Sequence, residues 1–519
     1  MQQQLNFNHQ RQDNEEKRGQ TNRRQFMIAT AAVGLGLSTL GTALSGCAAP
    51  RQQSEQQLDA TPANNLLHIP ELIDSQAVNH DVQISIQEGA HEFFPGVKSV
   101  TKGFNGDYLG PTVRLYRGQD TRIRFTNALN EATTVHGHGL HIAGELDGGP
   151  QSIIDPGATW DIVLPIRQQA GTSWYHPHLM HKTAEHVHAG LAGLYLIEDE
   201  NSLSLPLPKT YGVDDIPVVV QDRDFTAGKM NTYSVTEGDL MDGKREDTLV
   251  INGTIDPYVE VSQGWVRLRL LNGSNARFYR FYLPGNETFY KIATEGGFLE
   301  DPVEMTDITM APGERNEIMI DMSNGVTRSL LAQLLPTDDD YGASYGPRRR
   351  VLELRVDSTR TGEGQLPDKL NTINPLVRAD AVVTRTFELQ MGDGDEGEGE
   401  RGMGDGGMGE MFSINGQPMR MDVINERVKK GDVEIWRITG EDMLHPFHMH
   451  GTSFLILSQD GNAPVPADQG WKDVVVVGDG WTDVIMRFDY EATEEYPYMY
   501  HCHIFEHEDH GMMGQFTVT

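Results

Sequence analysis

The chain has 519 residues, too many for one ordinary core, so length alone implies two to four domains. Hydrophobic residues make up 38%, enough for packed interiors, and 75 acidic against 42 basic side chains give a net charge of −33. A field of that sign repels nucleic acid and anionic lipid, and favours solubility and attraction of cations.

The first element reads as an export signal over residues 1–47. TNRRQFMIATAAVGLGLSTLGTALSGCAAP (21–50) places a twin arginine, Arg23 and Arg24, before a short apolar run rich in Ala, Gly and Leu. The run is nearly long enough to span a membrane, but small residues dominate it and a cleavage-like site follows. It ends in LSGC, which resembles a bacterial lipobox with Cys47 as the lipidated residue; ordinary cleavage near Ala48 or Ala49 is the competing reading. The expected product is exported by the twin-arginine route to the periplasm or cell surface. It meets the membrane only through a lipid anchor, which needs more than one acyl chain to hold. Polar residues 48–65 form a linker.

Beyond the linker, short β-type segments with turn signals predominate. Three stretches share one layout: VRLYRGQDTRIRFTN (113–127), VEVSQGWVRLRLLNG (259–273) and ERVKKGDVEIWRITG (426–440). Each has an apolar strand, a Gly-centred turn and an alternating strand, and INGTIDP (251–257) and INGQPMR (414–420) echo one another upstream of two of them. At domain-sized spacing this predicts an all-β chain that uses one β-sandwich three times, over 66–202, 203–358 and 379–519. Polar stretches at 197–209 and 357–371 mark the boundaries, and residues 359–378 form a second linker. The acidic, glycine-rich segment 391–411 carries Met391, Met403, Met408 and Met411 and cannot build a core, so it is expected to be an exposed loop.

Removal of the leader leaves Cys502 as the single cysteine, which excludes an internal disulfide. An unpaired thiol in an oxidising compartment is a hazard unless a metal occupies it. Cys502 lies in HCH (501–503), and three other stretches, HGHGLH (136–141), HPH (176–178) and HPFHMH (445–450), hold most of the remaining informative histidines. In a strand, residues i and i+2 share a face. His501 and His503 therefore aim at one site and Cys502 at another. A thiolate, two imidazoles and a weak thioether make the trigonal site favoured by blue copper. Cys502, His507 and Met512 supply three of these, and His445 can supply the second imidazole. His136, His138, His176, His178, His448, His450, His501 and His503 suffice for three further coppers. Neutral imidazole is the donor copper needs, and a zinc site would not use so many His-x-His pairs.

These four stretches resemble the signature of multicopper oxidases. LDGGPQSIIDPG (146–157), GLAGLYLIEDE (190–200), HPFHMHGTSF (445–454) and HCHIFEHEDHGMM (501–513) are similar to bacterial cuprous oxidases and related laccases. The resemblance implies three cupredoxin-like Greek-key β-sandwich domains and four copper ions, one type 1, one type 2 and two type 3. It implies type 1 at His445, Cys502, His507 and Met512, and type 2 at His136 and His448. For the type 3 pair it implies His138, His176 and His501 on one ion and His178, His450 and His503 on the other. A monomer of this kind takes electrons from Cu(I) or small phenols at type 1 and reduces O2 to water at the other three ions, in copper tolerance or laccase-like oxidation.

Asp147 and Glu508 match the family's proton-carrying carboxylates, while Glu441, four residues before His445, falls at the substrate edge and Met443, two before it, is expected near type 1 as a second substrate residue. The thioethers of 391–411 suit Cu(I). Gly137 stands where family members usually have Trp, which predicts a slightly more open cluster. His141, His181, His186, His188 and His510 match no ligand. A competing class is a non-catalytic copper-binding or scaffolding protein of the same fold, as in cell-division relatives. Those have typically lost copper ligands that this chain retains.

Overall fold

The computed structural model describes residues 62–335, 346–392 and 411–519. The expected export signal with Arg23, Arg24 and Cys47, and the loop methionines Met403 and Met408, lie outside the described residues. Among the described residues the secondary structure is almost entirely strand, arranged as three pairs of sheets plus a small two-stranded sheet of Phe225–Thr226 and Lys229–Met230.

The repeated layout seen in the sequence has one structural meaning in all three pairs. Thr112–Tyr116, Pro257–Gln263 and Glu426–Val428 each lie in one sheet. After a short turn the chain crosses to the facing sheet as Asp120–Asn127, Trp265–Asn272 and Val433–Gly440. Each of these second strands pairs parallel with an earlier one, Asp81–Phe94, Asp215–Arg223 and Val383–Met391 respectively. Each also pairs antiparallel with a later one, Thr159–Pro165, Arg315–Asp321 and Thr482–Arg487. The corner glycines Gly118, Gly264 and Gly431 all have positive φ (85°, 140° and 89°), a conformation that side chains with a Cβ resist. The chain is thus an all-β protein of three cupredoxin-like sandwiches.

Burial follows this placement. Asp81–Ile86 alternates exposed and buried side chains, as a sheet with one solvated face requires. Asp215–Arg223 is buried at every position. Its second face joins an apolar cluster that combines Trp174 and Val187 of the first sandwich, Val219, Val250 and Leu271 of the second, and Phe505 of the third. The boundary expected at residue 66 shifts, because Asn65–Leu66 pairs parallel with Pro257–Tyr258 in the second sandwich before the chain enters the first. No helix among the described residues is long and apolar enough to cross a membrane.

Candidate metal centre

The ligand-bearing segments are paired strands. His136–His138 runs antiparallel to Gly171–His176, placing His136 opposite His176. His445–Met449 runs antiparallel to Tyr498–Cys502, placing His448 opposite His501 and Phe447 opposite Cys502. Alternation along Tyr498–Cys502 then sends Cys502 and its neighbour His501 to different pockets.

The first pocket lies inside the third sandwich. Cys502 Sγ stands 3.6 Å from Nδ1 of His445 and 3.6 Å from Nδ1 of His507. The Nε2–H of His445 donates to the Glu441 carbonyl (3.0 Å) and that of His507 to the Met241 carbonyl (2.9 Å). Each Nδ1 therefore keeps its lone pair for whatever sits beside the sulfur. Met512 is fully buried in the same cluster, and its carbonyl accepts from the Cys502 amide at 3.1 Å.

The second pocket lies where the first and third sandwiches meet, and its eight imidazoles are all buried. Rings stack across the junction, His136 on His450 at 3.8 Å and His138 on His448 at 3.7 Å between centroids. Backbone carbonyls accept from Nδ1 of His136 (Asp147, 2.9 Å), His176 (Pro177, 2.9 Å), His448 (Asp473, 2.7 Å) and His501 (Cys502, 2.9 Å). Their Nε2 atoms converge. Those of His136 and His448 are buried without any partner. Unpaired buried nitrogens are costly, and a bound metal would satisfy them.

The donor set fits copper: neutral imidazoles in number, one thiolate and one thioether. Triads of donors in His136/His448/His450, His178/His450/His501 and His445/Cys502/His507 lie within 4.8 Å of one another. The grouping corrects the implied type 3 sets. His138 Nδ1 is 3.3 Å from His503 Nε2 and 3.4 Å from His176 Nε2, while His501 Nε2 is 3.2 Å from His178 and 3.3 Å from His450. His501 and His503 thus exchange places. Strand alternation puts both on one face, and only the docking of the first sandwich decides which partner each meets.

Burial is the main cause of the depressed basicity in both pockets. It takes His178 and His445 down to about 4 and His507 to about 3, and leaves His138, His176, His448, His450 and His503 well below the usual imidazole range, with neighbouring rings adding to it. His186, which is not a ligand, is also lowered to about 4 by burial. Below pH 6.5 the unfolded chain takes up protons that these folded imidazoles refuse until about pH 4, so stability must fall with pH across that window. Each group contributes up to about 1.4 kcal/mol per pH unit. Denaturant midpoints of metal-free protein measured from pH 7 to 4 should therefore drop steeply; a flat profile would contradict the neutral-imidazole reading.

Two carboxylates stand behind the rings. Asp147 ends the single helical turn Gly144–Asp147; its carbonyl holds His136, and its Oδ2 accepts from His450 Nδ1 at 2.7 Å. Glu508 lies in the short helix Phe505–Asp509, with Oε1 3.4 Å from His178 Nδ1 and Oε2 3.1 Å from His501 Nδ1. Burial pushes the Glu508 carboxyl up, but the imidazoles of His178 and His501 outweigh this and bring it down to about 2. A third carboxylate, Asp473, was not legible in the sequence. Its Oδ1 accepts from His138 Nε2 at 3.1 Å and its carbonyl holds His448. It follows Trp471 and Lys472 just before an unremarkable strand, far from every ligand in sequence; His448, whose ring it holds, is 25 residues away.

Other expectations need correction. Gly137 does not open the cluster, because Leu140 fills the space: a Cβ at Gly137 would stand 2.8 Å from Leu140 Cδ1. Met443 is buried in the core of the third sandwich, in the same cluster as Cys502 and Met512, and the Glu441 side chain is exposed beside His445. The non-ligand histidines are held by local partners: His141 by Ser453, His181 by the Asp509 carbonyl, His186 by Thr133, His188 by Glu246 and His510 by the Glu506 carbonyl.

Comparison with known proteins bears on the same architecture. Family profiles described as multicopper oxidase match residues 85–202 and 395–519. Cell division protein FtsP of Xenorhabdus nematophila is 36% identical over 87% of this chain and 92% of its own length. The laccase-like multicopper oxidase CueO of Ochrobactrum sp. is 37% identical with a TM-score of 0.79, covering 87% of this chain and all of that one. The McoA multicopper oxidase of Aquifex aeolicus is 30% identical with a TM-score of 0.74, covering 88% of this chain and all of that one. Buried histidine pairs from the first and third sandwiches, a thiol between two imidazoles, and relatives of this extent lead to one conclusion: the chain belongs to the multicopper oxidase family.

Proposed function

We propose that this protein is a four-copper oxidase that takes electrons from Cu(I) or small phenols at the Cys502 pocket and passes them to O2 at the histidine cluster. The observation that carries the reading is the completeness of the donor set. All twelve expected side chains are present and buried, and Cys502 bridges the two pockets, its sulfur in one and its carbonyl accepting from His501 in the other. Bound copper would supply the one-electron redox chemistry. The protein's part is to hold the rings as neutral donors, exclude bulk water and bring protons through Glu508 and Asp147. The exposed Glu441 carboxylate lies next to the backbone carbonyl that fixes His445, which suits approach of a cation such as Cu(I). Export by a twin-arginine signal and anchoring at Cys47 complete the proposal; Cys47→Ala should move the protein from the membrane fraction to the soluble exported one.

The likeness to cell division protein FtsP supports a second reading, a scaffold of the same fold with divisome partners and no turnover. Copper analysis and oxygen uptake separate the two. The oxidase should reconstitute to about four coppers per chain, turn blue with a near-ultraviolet shoulder, and consume O2 with Cu(I) or a phenol. Colourless protein that consumes no O2 with either donor would leave the scaffold reading.

A further inference from the structure

The second sandwich supplies none of the twelve ligands, yet its turn at 311–314, leading into the strand Arg315–Asp321, forms part of the cluster wall. Gly313 (φ +83°) presses so close that a Cβ there would stand 2.8 Å from the His503 ring. Two residues later, Arg315 is fully buried. Its guanidinium grips both Asp473 oxygens (2.7 and 2.5 Å) and donates to the carbonyls of Thr172 (3.1 Å) and Gly313 (3.0 Å). One side chain therefore joins the first sandwich through Thr172, the second through its own backbone, and the third through Asp473.

Asp473 in turn governs a ring that is unlike its neighbours. His136, His176, His448, His450 and His501 are held at Nδ1 and turn Nε2 to the cluster. His138 is held at Nε2 by Asp473 and turns Nδ1 inward, toward His503 and His176. A neutral imidazole has one N–H and one lone pair, and an ionised carboxylate only accepts. With Arg315 keeping Asp473 paired and oriented, the proton of His138 must sit on Nε2 and its lone pair on Nδ1.

We propose that Arg315 is a positioning residue which, through Asp473, selects the Nδ1-donating tautomer of His138, so that seating of the second sandwich is a condition for copper capture at the cluster. This rests on the cluster binding copper. The bland alternative is a buried ion pair that only staples domains, and such pairs are often replaceable by apolar residues of similar volume at no cost. Two double variants tell these apart. Arg315→Met with Asp473→Leu removes both charges and the acceptor; Arg315→Met with Asp473→Asn removes the charges but keeps an oxygen for His138. The backbone contact of residue 473 to His448 is common to both.

In Cu(II) titrations against a chelator, the Leu variant should keep the blue absorbance of the Cys502 pocket. It should lose the near-ultraviolet shoulder and bind the remaining copper about 10–100-fold more weakly, while the Asn variant, which keeps an acceptor for His138 but not the guanidinium that orients it, should recover only part of both; full recovery there would remove Arg315 from the role. Equal copper affinity in the two variants, whether intact or impaired, overturns the proposal. If neither variant folds, imidazole nitrogen NMR of the unsubstituted metal-free chain decides: a His138 protonated on Nδ1 is incompatible with it. An unsubstituted chain that takes up no copper sinks the oxidase reading instead, and the same NMR measurement still tests the tautomer.

Discussion

Replacing Cys502 with serine should abolish the blue absorbance and bring oxygen uptake to background. The sulfur is equidistant from the two Nδ1 atoms that face it, and no other thiol lies among the described residues. Burial pushes the metal-free thiol well above its usual pKa, with only the Ile504 amide, 3.5 Å from Sγ, favouring the thiolate. A metal must therefore displace the proton, which a soft cation does with thiolate far better than with an alkoxide. Serine offers a hard oxygen with a much higher pKa and so leaves the pocket without its defining ligand. The fold should survive, since burying a hydroxyl in place of a thiol costs about 1–3 kcal/mol. The cluster does not use this side chain and should still take up its own copper. Retained blue colour, or uptake above a few per cent of the unsubstituted protein, would refute the assignment of Cys502.

Glu508→Gln should have the second-largest effect, lowering steady-state oxygen uptake about 10²–10⁴-fold, the range of general acid–base groups. Reduction of O2 to water consumes protons inside a pocket from which bulk water is excluded. Glu508 is buried and its carboxylate, ionised at neutral pH, faces Nδ1 of two cluster rings, so a proton it accepts there is handed straight on. An amide of the same shape can do neither. The Cys502 pocket should be untouched: anaerobic reduction of the blue centre by Cu(I) should proceed at the unsubstituted rate while turnover collapses. If both rates fall together, or neither does, Glu508 is a structural residue. A copper count made alongside guards against simple loss of the cluster, because carboxylates behind ligating histidines also tune metal affinity.

Much of the ligand chemistry is local, which is why it could be read directly. His-x-His and His-Cys-His carry their meaning through the two-residue period of a strand, and Gly118, Gly264 and Gly431 mark the three corners because few other residues tolerate that backbone. The family resemblance added which histidines serve the Cys502 pocket, and the buried geometry there agrees with it. Errors arose where a side chain's environment depends on a distant segment. Asp473 and Arg315 lie in stretches with no metal-like spacing, and even Leu140, only three residues on, fills the space beside Gly137 through a packing that spacing does not reveal.

The amino-acid sequence by itself determined the all-β fold class, the threefold repetition and the identity of the donor side chains, since each follows from short-range periodicity and side-chain chemistry. Only the tertiary structure decided how those donors are shared: His503 with His138 and His176, His501 with His178 and His450, and the guanidinium of Arg315 behind them. Strand alternation assigns a residue to a face, but the partner it meets there is set by the packing of one sandwich against another.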